Sequence, residues 1–301
     1  MDLATVESVL DDIGSLGGLQ AIILSGMGEP FTHPEIYPII EAVKRRKLHL
    51  TLITNLVAAD ARRILELDVD QLLIGVQGAS KTSYQAFHPS FVTDEWERLN
   101  GMLAFFAASG RTFKHVQVIC EPNADELIEM VRFAHRHRAS QVNFKLASLR
   151  DGTQACRISA GQREALQTRL IPEARRVADD LGVRSNLDVF ARQVQASSGW
   201  ETAPIEDVGC FMGYEYSRIL VDGTVLYCCN TDVRVGSLAD GTRFSDLWYG
   251  PAWEALRARF RRGDYYESCS QCGKLNQNVK LAERFEAVYG REKLLAVTGR
   301  A

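Results

Sequence analysis

Short apolar runs alternate with amphipathic stretches through the first half of the chain. The run at residues 21–24 is too short for a helix and rich in β-branched residues, which favours a buried strand. Similar runs occur at 48–54, 71–76, 113–120 and 141–147, and helical periodicity separates them at 34–47, 58–67, 93–109 and 124–138. Such alternation predicts parallel strands joined by helical crossovers. We therefore expect an α/β fold with five strands, each followed by a helix.

The chain opens on a helix rather than on a strand. Leu3, Val6, Leu10 and Ile13 recur at helical spacing over residues 2–16. The strand that would precede this helix in a complete strand–helix cycle is therefore absent from the pattern. An open sheet and a barrel both remain compatible with it, and both bind ligands at the carboxyl ends of their strands. No G-x-G-x-x-G leads into a helix, so the sequence lacks a dinucleotide-binding fingerprint.

Unusual residues follow three of the predicted strands. Ser25–Pro30 reads SGMGEP, Thr54-Asn55 ends the second strand, and residues 75–78 read GVQG. Gly26 and Gly28 allow a ligand to approach the backbone closely. Glu29 could accept hydrogen bonds from an ammonium group. The alternative is a purely structural turn.

The second half of the chain has a different pattern. A long helix is predicted at 159–181, an extended piece near 183–189 and a polar linker at 196–204. Two alternating runs, 216–221 and 224–228, flank Asp222-Gly223, which is a strong β-hairpin signal. A helix is predicted near 251–261.

Charge and cysteine usage narrow the class of protein. The net charge of −3 and the isoelectric point near 6.1 argue against a basic nucleic-acid-binding surface. The N-terminus resembles neither a signal nor a transit peptide, and no apolar run is long enough to span a membrane. These features predict a reducing, cytoplasmic location, where clustered cysteines bind metal more often than they form disulfides. Cys120 ends an apolar run and is expected to be a buried core thiol.

Five of the seven cysteines fall in the last third of the chain: Cys210, Cys228, Cys229, Cys269 and Cys272. The hairpin brings its strand ends together, and Cys269-x-x-Cys272 is a chelating pair. Successive strand residues point to opposite faces, so only one of Cys228 and Cys229 is expected to face the site, and Cys228 is preferred. Four thiolates suit either a structural zinc ion or an iron–sulfur cluster.

Taken together, these motifs resemble the radical S-adenosylmethionine enzymes. Gly26–Pro30 is similar to their G-G-E-P motif, Thr54-Asn55 to the end of their third strand, and residues 74–87 to their fourth-strand segment. The pattern C-x12-G-x4-C from Cys210 to Cys228, followed by C-x-x-C, resembles the opening of the SPASM/twitch extension. The resemblance covers nearly the whole chain.

The resemblance implies a partial (β/α)6 TIM-type barrel, with its first strand missing, over residues 1–195. It also implies a small hairpin-plus-helix iron–sulfur domain over 205–285 and a tail over 286–301. S-adenosylmethionine would bind at Gly26, Gly28, Glu29, Pro30, Asn55 and Gln77. One auxiliary [4Fe–4S] cluster, rather than two, would bind at Cys210, Cys228, Cys269 and Cys272, with Cys229 as a fifth candidate, because no cysteine follows Cys272.

In this family a catalytic cluster transfers one electron to S-adenosylmethionine, and the resulting radical abstracts hydrogen from the substrate. The implied activity is therefore an oxidoreductase or maturase that modifies a peptide or small molecule. Its electron donor would be a protein such as a flavodoxin or ferredoxin, and no nucleic acid or membrane would be a partner.

The family's C-x3-C-x2-C motif is not present in the sequence. We expect the chain to be an N-terminally shortened form that is catalytically incomplete, which would also explain the missing strand. A non-catalytic degenerate binding module and a zinc-stabilised α/β enzyme are the alternatives.

Overall fold

The computed structural model describes residues 1–26, 28–149, 152–196 and 205–299. Within these ranges the chain forms two compact units. One unit begins at Gln20 and includes the described residues up to 196; the other joins Met1–Leu19, with helix α1 (Leu3–Ser15), to residues 205–299. Apart from Ala196, the predicted linker lies outside the described residues. None of the described helices has the length and apolar character to cross a membrane.

The first unit is built on a five-stranded parallel sheet. Its strands are β1 (Ala21–Leu24), β2 (His49–Thr54), β3 (Gln71–Gly75), β4 (Lys114–Ile119) and β5 (Gln141–Leu146). They lie in sequence order, and each pairs in parallel with the next. A doubly wound sheet reverses its strand order at a switch point, whereas this sheet does not. The prediction of an α/β, partial-barrel fold is therefore confirmed.

Alternating side chains explain why these segments are strands. Leu50 and Leu52 of β2 and Ile74 of β3 are fully buried on one face of the sheet. Neighbouring residues face the other way, and Ile23 and Ile53 there are 43% and 37% exposed. The second face is therefore the more open one, and the loops at its carboxyl edge carry the candidate ligand-binding residues.

Eight helices of the first unit cover the described crossovers and the region after β5. They are α2 (Ile36–Arg45), α3 (Ala61–Glu66), α4 (Lys81–Phe87), α5 (Glu95–Ala108), α6 (Leu127–Arg136), α7 (Ala160–Ala165), α8 (Ile171–Asp180) and α9 (Leu187–Gln195). A π-helical turn joins α7 to α8, so the long helix predicted at 159–181 is confirmed. Helix α4 was predicted as loop. The helix starts at a capping box formed by Ser80. The sequence contains this signal, but the apolar pattern of the helix is too short to be recognised.

The prediction of an extended segment near 183–189 is mostly wrong. Only Ser185 forms a bridge, to Val142 of β5, and α9 begins at Leu187. The Asn186 side chain accepts a hydrogen bond from the Phe144 N–H (2.7 Å) and donates one to the Phe144 carbonyl (2.9 Å). The Asn186 side chain thus satisfies both Phe144 backbone groups, which a sixth strand would otherwise pair with, while the Val142 N–H donates to the Arg184 carbonyl.

The second unit contains a three-stranded antiparallel sheet and short helices. Its strands are β6 (Arg218–Ile219), β7 (Thr224–Leu226) and β8 (Arg234–Ser237), in that order. Its further helices are α10 (Ile205–Val208), α11 (Met212–Glu215), α12 (Phe244–Trp248), α13 (Pro251–Arg261), α14 (Leu275–Tyr289) and α15 (Arg291–Val297). The predicted hairpin and the helix at 251–261 are confirmed, whereas β8 was not predicted.

An aromatic core supports this unit. Trp253 of α13 and Tyr227 are fully buried, with ring centroids 5.4 Å apart. Within the same unit, Asp12 of α1 accepts hydrogen bonds from the Ser245 N–H and from Arg243. Residues 286–301, predicted as a tail, include α15, whose Leu294 is 1% exposed. The functional domain boundaries inferred from the resemblance remain a prediction.

Candidate cofactor and cluster sites

Glu29 joins the loop after β1 to the end of β2. Its Oε1 atom accepts hydrogen bonds from the Phe31 N–H (3.1 Å) and the Thr54 hydroxyl (2.5 Å). Its Oε2 atom accepts one from the Asn55 N–H (2.7 Å). A carboxylate offers about four acceptor positions, so about one remains for a ligand ammonium group. Glu29 therefore fixes the shape of the sheet edge whether or not a ligand is bound.

Asn55 and Gln77 also fix the backbone at strand ends. The Asn55 Oδ1 atom accepts a hydrogen bond from the Val57 N–H (3.0 Å). Gln77 adopts a left-handed backbone (φ 61°), and its Oε1 atom accepts a hydrogen bond from the Val118 N–H (2.6 Å). The structure thus brings Glu29 and Asn55 into direct contact and places Gln77 after the neighbouring strand β3. In both side chains, the amide oxygen already accepts a hydrogen bond from a backbone N–H.

Gly28 leaves open space beside the backbone. A Cβ atom at Gly28 would meet no heavy atom within 4 Å, and its φ lies outside the left-handed region. At Gly26 such an atom would make only ordinary contacts, 3.6 Å from the Gly28 nitrogen. Neither the backbone conformation nor local packing therefore requires glycine at position 28. The close approach of a ligand to the backbone would require it. Pro30 begins the 3-10 turn that Glu29 caps, and Met27 lies outside the described residues.

Sequence reasoning missed a second carboxylate at the same edge of the sheet. Glu126 accepts hydrogen bonds from the Ala79 N–H (2.9 Å) and from the hydroxyls of Ser80 and Ser83. It thereby fixes the loop between β3 and α4. Residues 79 and 126 are far apart in sequence, so no local pattern marks the pairing.

The five cysteines of the last third all belong to the second unit and are half-buried free thiols. Strand β7 ends at Leu226, so Cys228 and Cys229 lie in a bend beyond it rather than in the predicted strand. Strand alternation therefore does not decide between them, and the preference for Cys228 remains a prediction. Cys120 is 5% exposed, as expected of a core thiol.

The thiols influence one another's protonation. Burial, with smaller contributions from the Cys272, Cys269 and Cys229 thiols, raises the pKa of Cys210 to about 12. Burial likewise raises the pKa of Cys272 to about 11, with contributions from Cys229 and Cys269. Cys210 and Cys269 both pack against two buried clusters of this unit, one shared with Cys228 and the other with Cys272, so the fold gathers thiols from separate segments of the chain.

Two cations lie beside the thiols. Burial raises the pKa of Cys229, but the positive charges of Lys274 and Arg218 oppose that effect. The Lys274 Nζ atom lies 4.0 Å from the centroid of the Tyr216 ring. These cations would offset part of the negative charge that thiolate ligands bring to a metal cluster.

Two asparagines that the sequence analysis did not single out donate hydrogen bonds to cysteine sulfurs. The Asn278 side chain donates to the Cys272 Sγ atom (3.8 Å), and the Asn230 N–H donates to the Cys228 Sγ atom (3.4 Å). No known sequence spacing identifies these asparagines as partners of the cysteines. Only the folded structure shows which sulfur atoms they contact.

The donor set fits an iron–sulfur cluster. It consists of unpaired, half-buried thiols with N–H donors aimed at sulfur and cations nearby. Among the described residues, no three His, Cys, Asp or Glu side chains converge closely enough to hold a metal ion. The fit therefore rests on the chemistry and proximity of the thiols.

Family comparisons agree with this arrangement. Residues 1–144 match the radical SAM superfamily, and residues 210–273 match SPASM, an iron–sulfur cluster-binding domain. The chain therefore carries a radical SAM domain and a SPASM-type domain. These two domains imply [4Fe–4S] clusters and S-adenosylmethionine as cofactors.

Solved structures share the fold at low sequence identity. anSMEcpe with bound AdoMet and the Cp18Cys peptide gives a TM-score of 0.62 at 14% identity, over 99% of this chain and 91% of that chain. Streptococcus suis SuiB bound to the precursor peptide SuiA gives 0.60 at 17% identity, over 91% of this chain and 63% of that chain.

A curated relative matches only a segment. The S-adenosyl-L-methionine-dependent tRNA 4-demethylwyosine synthase of Oryza sativa subsp. japonica is 31% identical over 105 residues. The match spans 35% of this chain but 16% of that protein's length. The corresponding Arabidopsis thaliana protein is 30% identical over 106 residues and is likewise covered over 16% of its length.

Proposed function

We propose that this chain binds S-adenosylmethionine in its first unit and an auxiliary [4Fe–4S] cluster in its second, and that it serves the radical modification of a peptide. The gathering of five half-buried thiols from separate segments carries the proposal. Peptide is the favoured substrate class because SuiB and anSMEcpe, which share the fold, have been solved with peptides bound.

Each site residue has a defined part in the proposal. Gly26 and Gly28 let the cofactor approach the backbone, and Glu29 with Pro30 shapes that loop. Asn55 and Gln77 hold the neighbouring strand ends. Once bound and reductively cleaved, S-adenosylmethionine would supply the hydrogen-abstracting radical, and the chain's own residues would bind and orient the cofactor.

Cys210, Cys269 and Cys272 bind the auxiliary cluster in this proposal, together with Cys228 or Cys229. The 301 residues contain no C-x3-C-x2-C motif, so we propose that they bind S-adenosylmethionine without cleaving it on their own. A flavodoxin- or ferredoxin-like donor and a cytoplasmic location belong to the same proposal.

The cofactor site is tested by calorimetric titration with S-adenosylmethionine. We expect the wild-type chain to bind it, and Gly28→Val to weaken binding at least tenfold by filling the open space beside the backbone. Gly18→Val is the matched control, because a Cβ atom there also meets nothing within 4 Å and Gly18 is not a site residue. Equal affinities for both variants would contradict the assigned cofactor site.

Catalytic incompleteness is tested separately by incubating the anaerobically prepared chain with dithionite and S-adenosylmethionine. We expect binding without release of 5′-deoxyadenosine. Release by this chain alone would overturn that part of the proposal. Absence of any binding would favour the non-enzymatic binding module or a different α/β enzyme.

A further inference from the structure

Asn278 connects two cysteine-bearing segments. It lies in the first turn of α14 and is 0% exposed. Its Oδ1 atom accepts a hydrogen bond from the N–H of Phe211, the residue after Cys210 (2.8 Å). Its Nδ2 atom donates to the Cys272 Sγ atom (3.8 Å). One buried amide therefore links the Cys210 segment to the Cys272 segment.

Asn230 connects two other cysteine-bearing segments in the same way. Its N–H donates to the Cys228 Sγ atom (3.4 Å), and its Nδ2 atom donates to the hydroxyl of Ser268, the residue before Cys269 (2.8 Å). The backbone N–H of Asn230 thus reaches the Cys228 sulfur, and its side-chain amide reaches the residue beside Cys269.

The two links are complementary. Asn278 pairs the Cys210 and Cys272 segments, whereas Asn230 pairs the Cys228 and Cys269 segments. Together they include four thiols, the number that a [4Fe–4S] cluster requires. Neither asparagine carries a hydrogen bond to Cys229 in the structure. Both asparagines donate to sulfur, which stabilises negative charge on the thiolates.

We infer that Asn278 and Asn230 are positioning residues that hold Cys210, Cys228, Cys269 and Cys272 in place and raise the reduction potential of the cluster they bind. The inference rests on the proposed auxiliary cluster. Reduction adds one electron from a low-potential donor and makes the cluster more negative. Hydrogen bonds to its sulfurs stabilise that reduced form more than the oxidised form.

The test is a potentiometric titration of the reconstituted full chain with dithionite, followed by electron paramagnetic resonance. Asn278→Asp keeps an acceptor for the Phe211 N–H but replaces the donor to Cys272 with a negative charge. We expect a lower midpoint potential, with reduction at least tenfold less favourable, equivalent to about 59 mV for one electron. The control Asn276→Asp adds the same charge at an exposed position of α14 and should change the potential much less.

Asn230→Ala provides an independent variant. It removes the side-chain donor while the backbone N–H to Cys228 remains, and we expect a smaller decrease of the same sign. If Asn278→Asp does not fold, as judged by circular dichroism, Asn230→Ala decides the question. If the Asn variants still hold their cluster but their midpoint potentials are unchanged, this inference is overturned and the proposed function is not. A wild-type chain that binds no iron or sulfide would overturn the proposed function as well.

Discussion

At the scale of single residues, Glu29 shows how one side chain can fix the local structure of a candidate ligand site. Its carboxylate accepts three hydrogen bonds that fix the loop after β1 against the end of β2. The sequence could place Glu29 at a strand end and suggest that it binds an ammonium group. It could not show the contacts with Thr54 and Asn55, because they depend on the register between two strands.

Glu29→Gln should destabilise the first unit. An amide presents one donor group where the carboxylate presents an acceptor, so at least one of the three donors loses its partner. The expected loss is about 1–3 kcal/mol in the free energy of unfolding. Urea denaturation measures it, with Glu41→Gln on the exposed face of α2 as a control of the same chemistry. Equal stability of the two variants would show that the observed hydrogen bonds contribute little.

Which of the adjacent Cys228 and Cys229 binds the cluster was expected to follow from strand periodicity. Because β7 ends at Leu226, alternation does not apply to Cys228 and Cys229. The Cys228 sulfur accepts the Asn230 N–H, whereas Cys229 lies near Lys274, and Cys228 remains the predicted ligand.

Cys228→Ser should therefore reduce iron content after anaerobic reconstitution to a small fraction of the wild-type value. Cys229→Ser should retain most of the iron, and Cys156→Ser, at an exposed cysteine outside the cluster, should retain all of it. Iron and sulfide assays decide the matter. Loss of iron in Cys229→Ser but not in Cys228→Ser would reverse the assignment.

At the scale of elements, hydrophobic periodicity predicted most of the first unit, because its strands are apolar and its crossover helices amphipathic. It failed where a side chain replaces regular structure. Asn186 satisfies the Phe144 backbone groups of β5 that a sixth strand would pair with, and the segment predicted as extended starts a helix instead. Strand β8 was missed because RVGS is four residues long and contains glycine, so it carries almost no periodic signal.

The link between α1 and α12 within the second unit is a further contact that the sequence could not reveal. Asp12 accepts hydrogen bonds from the Ser245 N–H and hydroxyl at 2.8 Å each and pairs with Arg243. Partial burial raises the pKa of Asp12, but the Ser245 N–H and Arg243 outweigh that effect and lower the pKa below its ordinary value.

Asp12→Asn should therefore cost about 1–3 kcal/mol of stability at pH 7. Because the folded-state pKa is lowered, the carboxylate's contribution is fully present above the ordinary value of 3.8 and is lost as the pH falls through the folded-state value. The difference between wild type and Asp12→Asn should accordingly shrink below pH 3.8. Denaturation at several pH values tests this, with Asp240→Asn as an exposed control. A difference that is independent of pH would contradict the ionic part of the account.

At the scale of the whole molecule, two units of different architecture carry two kinds of candidate site. The parallel sheet gathers strand-end residues at one edge, and the small antiparallel sheet with its helices gathers cysteines. The residue types and spacings predicted both sites because glycine loops and C-x-x-C pairs are local. Residues such as Glu126, which contacts Ala79, and Asn278, which contacts Phe211, bind segments far away in sequence and became evident only in the fold.

The central claim is that the second unit holds an iron–sulfur cluster. Its most direct test is the metal and sulfide content of the chain after anaerobic reconstitution with iron and sulfide, combined with Mössbauer spectroscopy. The account predicts about four iron and four sulfide per chain with the spectrum of a [4Fe–4S] cluster. Tightly bound zinc without sulfide would contradict it and would favour a zinc-stabilised α/β protein.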